Sequence, residues 1–279
     1  MESTTAADRV LVVMKLLAEL PNPVRLEDLT RELRVPKSTV HRMLTTLRRA
    51  GWATRDEDGR YSVSLEFLRV AFKCYDTLDE PNIVGSTLQA LVGAFGETAY
   101  YATLDGPGVA YLAMVTAPGY MHTAALVGAR QPAHLTGLGK ALLAYALPER
   151  GAVDHFVATH GPLRAGTQKS ITNAAALHRE LSATRQRGYA VDDQENEPGV
   201  VCIAFPVFLG PSQQPTGAIS VAAIELRTPL EKLVARSEEA QAIIRRGLGF
   251  GALRTSDPTL ARSGVSGGQS VLTGAVRTE

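Results

Sequence analysis

At 279 residues, 45% hydrophobic and 20% charged, the chain has ordinary globular composition and length enough for two domains with cores of their own, which excludes a fibre and a small stapled unit. Lys+Arg total 29 and Asp+Glu 28, so a net charge of +1 leaves any nucleic-acid partner to a local basic patch. Cys74 and Cys202 stand far apart, without CxxC or His-rich spacing, which argues against a disulfide framework or a zinc knuckle and fits a reducing cytoplasm. The longest apolar runs, such as Val10 to Leu17 and Gly199 to Leu209, are too short to cross about 30 Å of hydrocarbon, and Met1 to Thr5 does not read as a signal peptide. A soluble, cytoplasmic protein with no membrane partner is expected.

From Ala6 to Leu20, Val10, Val13, Met14, Leu17 and Leu20 repeat with the i, i+3, i+4, i+7 spacing of a helix, which Pro21-Asn22-Pro23 stops. A second short helix is predicted over Leu26 to Leu33, then a break at Arg34-Val35-Pro36. A third runs from about Lys37 to Ala50 and ends at Gly51. Trp52 to Arg55 and Arg60 to Val63 read as two short strands around a polar turn at Asp58-Gly59. Leu65, Leu68, Phe72 and Tyr75 resume helical spacing, which predicts a connecting helix to about Asp79 that Glu80-Pro81-Asn82 ends. Beyond it, strand-like runs at Thr98 to Leu104, Val109 to Thr116, Val200 to Phe208 and Thr216 to Ile224 alternate with helical ones at Gly139 to Leu147, Ala174 to Arg187 and Leu230 to Gly247. This predicts an α+β domain with a mainly antiparallel sheet. After Arg254 the Ser, Gly, Thr and Ala composition cannot offset its ordering entropy and reads as a mobile tail. The expected divisions are 1–64, 65–80, 81–253 and 254–279.

Between Arg31 and Arg60 the cations Arg31, Arg34, Lys37, Arg42, Arg48, Arg49, Arg55 and Arg60 face only Glu32, Asp56, Glu57 and Asp58, so the near-neutral chain hides a segment of charge 8 − 4 = +4. On the third helix Val40, Met43, Leu44 and Leu47 form the buried face. Winding at about 100° per residue puts Ser38, Arg42, Thr45 and Arg49 opposite, with Thr39, His41 and Thr46 on the flanks. Such a short, hydrogen-bonding, cationic face suits a major groove, where arginine grips guanine O6 and N7 with two bonds. Lys37 and Ser38 stand at the helix start, where free backbone N–H groups favour a phosphate. Taken alone, this face reads more readily as a solvated surface than as a DNA reader. A short helix, a turn, a basic helix and a charged hairpin in this order form a winged helix-turn-helix, with Arg55 and Arg60 flanking the wing as phosphate contacts and the acidic tip held off the DNA.

Leu29-Thr30-Arg31-Glu32-Leu33, Pro36 to Leu44 and Leu47 to Gly51 resemble the helix-turn-helix of the IclR family of bacterial transcription regulators. Gly128-Ala129-Arg130, Ala133 to Ala144 and Gly188 to Ala204 resemble its second domain, so the likeness reaches to about Leu253. The resemblance implies a GAF-like effector-binding domain, dimers paired through the first and connecting helices, and often tetramers built as pairs of dimers. It also implies an effector pocket using backbone at Gly137 and Leu138 with the side chains of Asp192, Cys202 and Ser220. Three positions depart from the family's habit: Ala222 where a second polar residue often stands, Gln194 where Glu often follows the paired aspartates, and Val201 where Arg often precedes the cysteine. These suggest an effector less polar, and larger, than the smallest oxoacids.

Physical chemistry gives those residues a role of its own, because Gly137-Leu138-Gly139 precedes an apolar helix and leaves backbone N–H groups open to a carboxylate. Plainer readings stand beside it: Cys202 as a small core residue, Asp192 as a turn cap, the glycines as close-packing positions. His122 and His134 read as hydrogen-bonded structural groups before a metal pair, and no cofactor is expected. The leading function is an operator-binding regulator whose DNA affinity a small carboxylate or aromatic acid modulates. An enzyme is the rival, with Cys202 as nucleophile, His134 as base and Asp192 as orienter, but no basic group in the sequence around Cys202 would lower its pKa.

Overall fold

Thr5 starts the first helix, α1 (Ala6–Glu19): its hydroxyl accepts the Asp8 N–H while the Asp8 carboxylate takes the Thr5 N–H at 2.7 Å, a reciprocal cap. The structure, a computed structural model, describes residues 5–117, 119 and 126–253, so His122 and the segment 254–279 lie outside the described residues. The chain divides into two compact units, Met1–Asp79 and Glu80–Glu279.

In the first unit α1 buries Val13, Met14 and Leu17 against α2 (Leu26–Leu33) and α3 (Lys37–Arg49), which contribute Leu29 and the stripe Val40, Met43, Leu44, Leu47. The turn between α2 and α3 is made by Arg34 in the left-handed region, φ 53°. β1 (Ala53–Arg55) and β2 (Tyr61–Val63) pair antiparallel with Ala53 opposite Val63, and Gly59 turns the tip at φ 79°. Tyr61 and Val24 exchange two backbone hydrogen bonds of 2.7 and 2.8 Å, which ties the wing to the start of α2. α4 (Leu65–Tyr75), capped by Ser64, buries no residue, and Leu65 and Phe72 are 83% and 63% exposed.

The second unit is a six-stranded sheet of order β5-β4-β3-β8-β7-β6, antiparallel throughout. Its strands are β3 (Thr98–Asp105), β4 (Gly108–Val115), β5 (Arg130–Pro132), β6 (Ala190–Asp193), β7 (Val200–Val207) and β8 (Gly217–Ile224). One face is covered by α6 (Gly137–Ala146), α7 (Arg150–His160) and α8 (Ala174–Arg187), the other by α5 (Asp79–Phe95), α9 (Leu230–Ala235) and α10 (Ser237–Leu248). Because side chains alternate along a strand, the two faces draw on different residues. Ala102, Cys202, Ala204, Ala218 and Ala222 face α6, whereas Tyr101, Val201, Ile203, Phe205, Ile219 and Val221 face the α5 side. Burial on both faces is why β7 and β8 read as continuous apolar runs.

The structure departs from the expected elements at several places. The connecting helix stops at Tyr75, and Glu80-Pro81-Asn82 opens α5 instead of ending a helix. Proline in a first turn forfeits no intrahelical hydrogen bond, so Pro81 is a start signal there. Leu230 to Gly247 is two helices broken at Arg236, whose guanidinium lies 4.0 Å from the Phe95 ring centre and binds Glu239. α7, β5 and β6 were not expected.

Candidate functional site

On α3 the four apolar residues are buried, and Lys37, Ser38, His41, Arg42 and Arg49 are exposed, with Thr39 and Thr45 half-buried. The helix begins after Pro36, which offers no capping side chain, so the first-turn N–H groups at Lys37 and Ser38 keep no side-chain partner. Thr45 and Thr46 hydroxyls donate to the carbonyls of His41 and Arg42 at 2.8 and 3.1 Å, which fixes their rotamers. Neither Arg42 nor Arg49 makes an ion pair among the described residues. Lys37 does: its Nζ lies 2.6 Å from Glu27 Oε1 on α2, a contact that sequence spacing did not suggest. In the wing Arg55 donates to the Gly59 carbonyl at 3.3 Å and lies over the Tyr61 ring, while the Arg60 N–H is held by Asp56.

In the second unit Gly137, Leu138, Asp192, Cys202 and Ser220 line one cavity of about 40 Å³ between the start of α6 and the small-residue face of the sheet. Register brings them together: Asp192 on β6 is opposite Cys202 on β7, which is opposite Ala222 on β8, and Ser220 lies two residues earlier on the same face. A Cβ added to Gly137 would sit 2.6 Å from Cys202 Sγ, and one at Gly139 would sit 2.1 Å from the Ala133 carbonyl oxygen, so both glycines permit contacts a side chain would prevent. Thr136 caps α6 by accepting the Gly139 N–H at 3.0 Å.

The remaining lining includes Tyr100, Tyr111, Thr136, Asn196, Glu197 and Val200. Sequence reasoning missed the two tyrosines, which the β3–β4 hairpin sets edge to face with ring centres 5.6 Å apart. It also missed a buried charge cluster behind the pocket, where Lys140 of α6, 1% exposed, is ion-paired to Glu195. A lysine inside the apolar run Leu138 to Leu143 was the available signal. Asp192, also buried, accepts the Glu195 N–H at 2.8 Å alongside and lies within the field of the same cation. Desolvation pushes Asp192 up to about 7 against the pull of Lys140, raises Glu195, and carries the Cys202 thiol far above its ordinary value. Cys202 is therefore an inert thiol.

His134 does not join Cys202: its Nε2 lies 2.9 Å from the Arg164 carbonyl, and it lines a different cleft. The nucleophile, base and orienter of the enzyme reading are not assembled. Of the three departures from family habit, Ala222 lines the pocket, whereas Val201 points into the opposite core and Gln194 ties Gly199 N–H at 3.1 Å, so neither bears on the pocket's polarity. Among the described residues no helix is long and apolar enough to cross a membrane.

Comparison with known proteins agrees with this arrangement. The IclR helix-turn-helix domain matches residues 6–57, and the bacterial transcriptional regulator IclR C-terminal domain matches residues 72–245. The HTH-type transcriptional regulator BhcR of Paracoccus denitrificans is 33% identical over 258 residues, 90% of this chain and 88% of that protein. An IclR transcriptional regulator from Alicyclobacillus acidocaldarius superposes with a TM-score of 0.70 at 25% identity, over 88% of this chain and 98% of that one. An IclR homologue from Microbacterium hydrocarbonoxydans, solved in complex with 4-hydroxybenzoate, shares the fold at TM-score 0.67 and 21% identity, over 86% of this chain and 98% of that one. With both of its domains matched in order and a full-length relative at this identity, the chain belongs to the IclR family, a class of DNA-binding bacterial transcription regulators with a ligand-binding domain and not of enzymes.

Proposed function

We propose that the protein acts as a homodimer, with tetramers as pairs of dimers, that reads an approximately palindromic operator through α3 and is switched by a small carboxylate. Arg42, Ser38, Thr45 and Arg49 face the bases, Thr39 and His41 the groove walls, and Lys37, Arg55 and Arg60 the phosphates. Support comes from the exposed apolar stripe of Leu65, Leu68 and Phe72 on α4, with Leu11 and Val12 on α1, which one small domain leaves uncovered. The proposed divisions remain 1–64 for the DNA-binding domain, 65–80 for the connection, 81–253 for the effector domain and 254–279 for a tail.

The observation that carries the effector reading is the convergence of Gly137, Leu138, Asp192, Cys202 and Ser220 around one cavity at a helix start. With the Gly139 N–H taken by Thr136, the Gly137 and Leu138 N–H groups hold the carboxylate, and Ser220, with Asp192 in its protonated form, hydrogen-bonds its other polar atoms. One water needs about 10–15 Å³, so a cavity of about 40 Å³ has room for roughly three waters and favours a short acid. An aromatic acid such as 4-hydroxybenzoate requires Tyr100 or Tyr111 to swing out. Fluorescence anisotropy of the chain's own upstream DNA, with and without a short oxoacid and 4-hydroxybenzoate, tests the reading. A DNA affinity that neither class of acid alters refutes the switch, and failure to retain upstream DNA above random DNA refutes the operator.

A further inference from the structure

We infer that the effector-binding unit holds a second ligand site, for an amphipathic carboxylate with an aromatic or aliphatic body, in a cleft at the β5 edge of the sheet. The cleft has a volume of about 500 Å³ and runs between β5 and the chain that leaves α7. Its size is that of a small-molecule site, in the range of roughly 300–1,000 Å³, and more than tenfold that of the pocket at α6.

The lining fixes the chemistry. Phe156 and Leu163 are buried and supply an apolar floor, and the Phe156 and His160 rings pack with centres 4.9 Å apart. Arg130, Arg164 and His160 stand on the rim, and no Asp or Glu is among the lining residues. Arg130 is compensated, with Nε 3.0 Å from Asp105 Oδ2, whereas the Arg164 guanidinium makes no ion pair among the described residues. A concave apolar floor beside an uncompensated guanidinium selects a ligand with an apolar body and one anionic end. His134 adds a polar contact: Nε2 donates to the Arg164 carbonyl at 2.9 Å, burial holds the ring's pKa below its ordinary value, and in the neutral ring Nδ1 accepts from a hydroxyl or amine on the ligand.

The same chain segment joins this cleft to the first pocket. Pro132 and His134 line the cleft, and Thr136, Gly137 and Leu138 line the pocket. Between them α6 is pressed onto Ala133 so closely that a Cβ at Gly139 would sit 2.1 Å from its carbonyl oxygen. A ligand that moves His134 therefore bears on the start of α6 through its neighbour Ala133. The cleft stands independently of the effector reading of the first pocket, and only the coupling rests on it.

Methyl-resolved NMR of the full chain, titrated into the millimolar range with benzoate, 2-naphthoate and octanoate, tests the site. At least one probe should shift the Leu163 methyls saturably. Arg164→Glu should weaken that binding at least about tenfold, and Ser220→Ala should leave it unchanged. Leu138 methyls should shift with the same midpoint as Leu163 if the two sites are coupled. Silent Leu163 methyls with all three probes, shifts that never saturate, or affinity unchanged in Arg164→Glu would overturn the site. Leu138 shifts that vanish in Ser220→Ala while Leu163 stays silent would leave the first pocket as the acid site and refute the second. Loss of both responses would sink the two readings separately. Silent Leu163 methyls together with a smaller sedimenting species for Arg164→Glu would identify the cleft as a contact between copies, which also refutes the ligand.

Discussion

Arg42 stands opposite the buried stripe of α3 with no ion pair among the described residues, so its guanidinium is available to a guanine edge. Arg42→Ala should weaken operator binding by about 1–3 kcal/mol and relax base preference at one position per half-site, as measured by anisotropy against substituted operators. Unchanged affinity and preference would mean that this face does not read bases. Ser220→Ala should cost the effector about 0.5–1.5 kcal/mol while leaving effector-free DNA affinity intact. Asp192 has a pH signature. Its folded pKa of about 7 lies above the unfolded value of 3.8, so the proton it holds favours the fold fully below about pH 4, and that contribution is lost as pH rises through 7. Asp192→Asn should then raise the melting temperature above pH 7 and hardly change it near pH 4. A carboxylate effector meets the same charge: its affinity should fall about tenfold per pH unit above 7 in the parent protein and stay flat in Asp192→Asn. Calorimetry across pH checks both, and an equal slope in parent and variant would mean that Asp192 does not govern the anion.

At the scale of elements, α6 depends on two residues without side chains. Gly139→Ala places a methyl 2.1 Å from a backbone oxygen of Ala133, a contact that only backbone displacement can relieve. It should destabilise the fold by about 1–3 kcal/mol, read from urea unfolding, and loosen effector binding with it. On α4, Phe72→Asp should split the dimer without unfolding the first unit, because Phe72 is already exposed; an unchanged sedimentation coefficient would place the interface elsewhere. These elements were unequally legible in the sequence. The bounds of α2 and α8 match the expected Leu26 to Leu33 and Ala174 to Arg187: the break Arg34-Val35-Pro36 marked the end of α2, and Gly188 in the left-handed region closes α8. α5 was hidden by Pro81, which signals a start or a stop depending on a register that one sequence does not reveal. β6 was hidden because four residues, Ala190–Asp193, are too few to show alternation, although Asp192 was singled out. Tyr100 and Tyr111 escaped notice because their meeting depends on hairpin register and a bulge near Tyr101.

For the whole molecule, the switch implies an exchange that runs both ways. If a carboxylate changes operator affinity by some factor, operator DNA must change carboxylate affinity by the same factor. Titrating the acid into protein with and without operator measures this, and equal affinities in the two titrations would end the gating hypothesis even if both ligands bind. The central sheet carries a further consequence. Residues of one parity, Val201, Ile203, Phe205, Ile219 and Val221, pack the core against α5, α9 and α10, whereas those of the other parity, Cys202, Ala204, Ser220 and Ala222, face α6 and the pocket. Stability and recognition are therefore written on alternate letters of the same two strands. If the pocket is the effector site, exchanges among Cys202, Ser220 and Ala222 reset which acid is sensed while the packing against α5 keeps its own residues. A lineage of such chains can change its chemical vocabulary while it keeps the scaffold that does the reading.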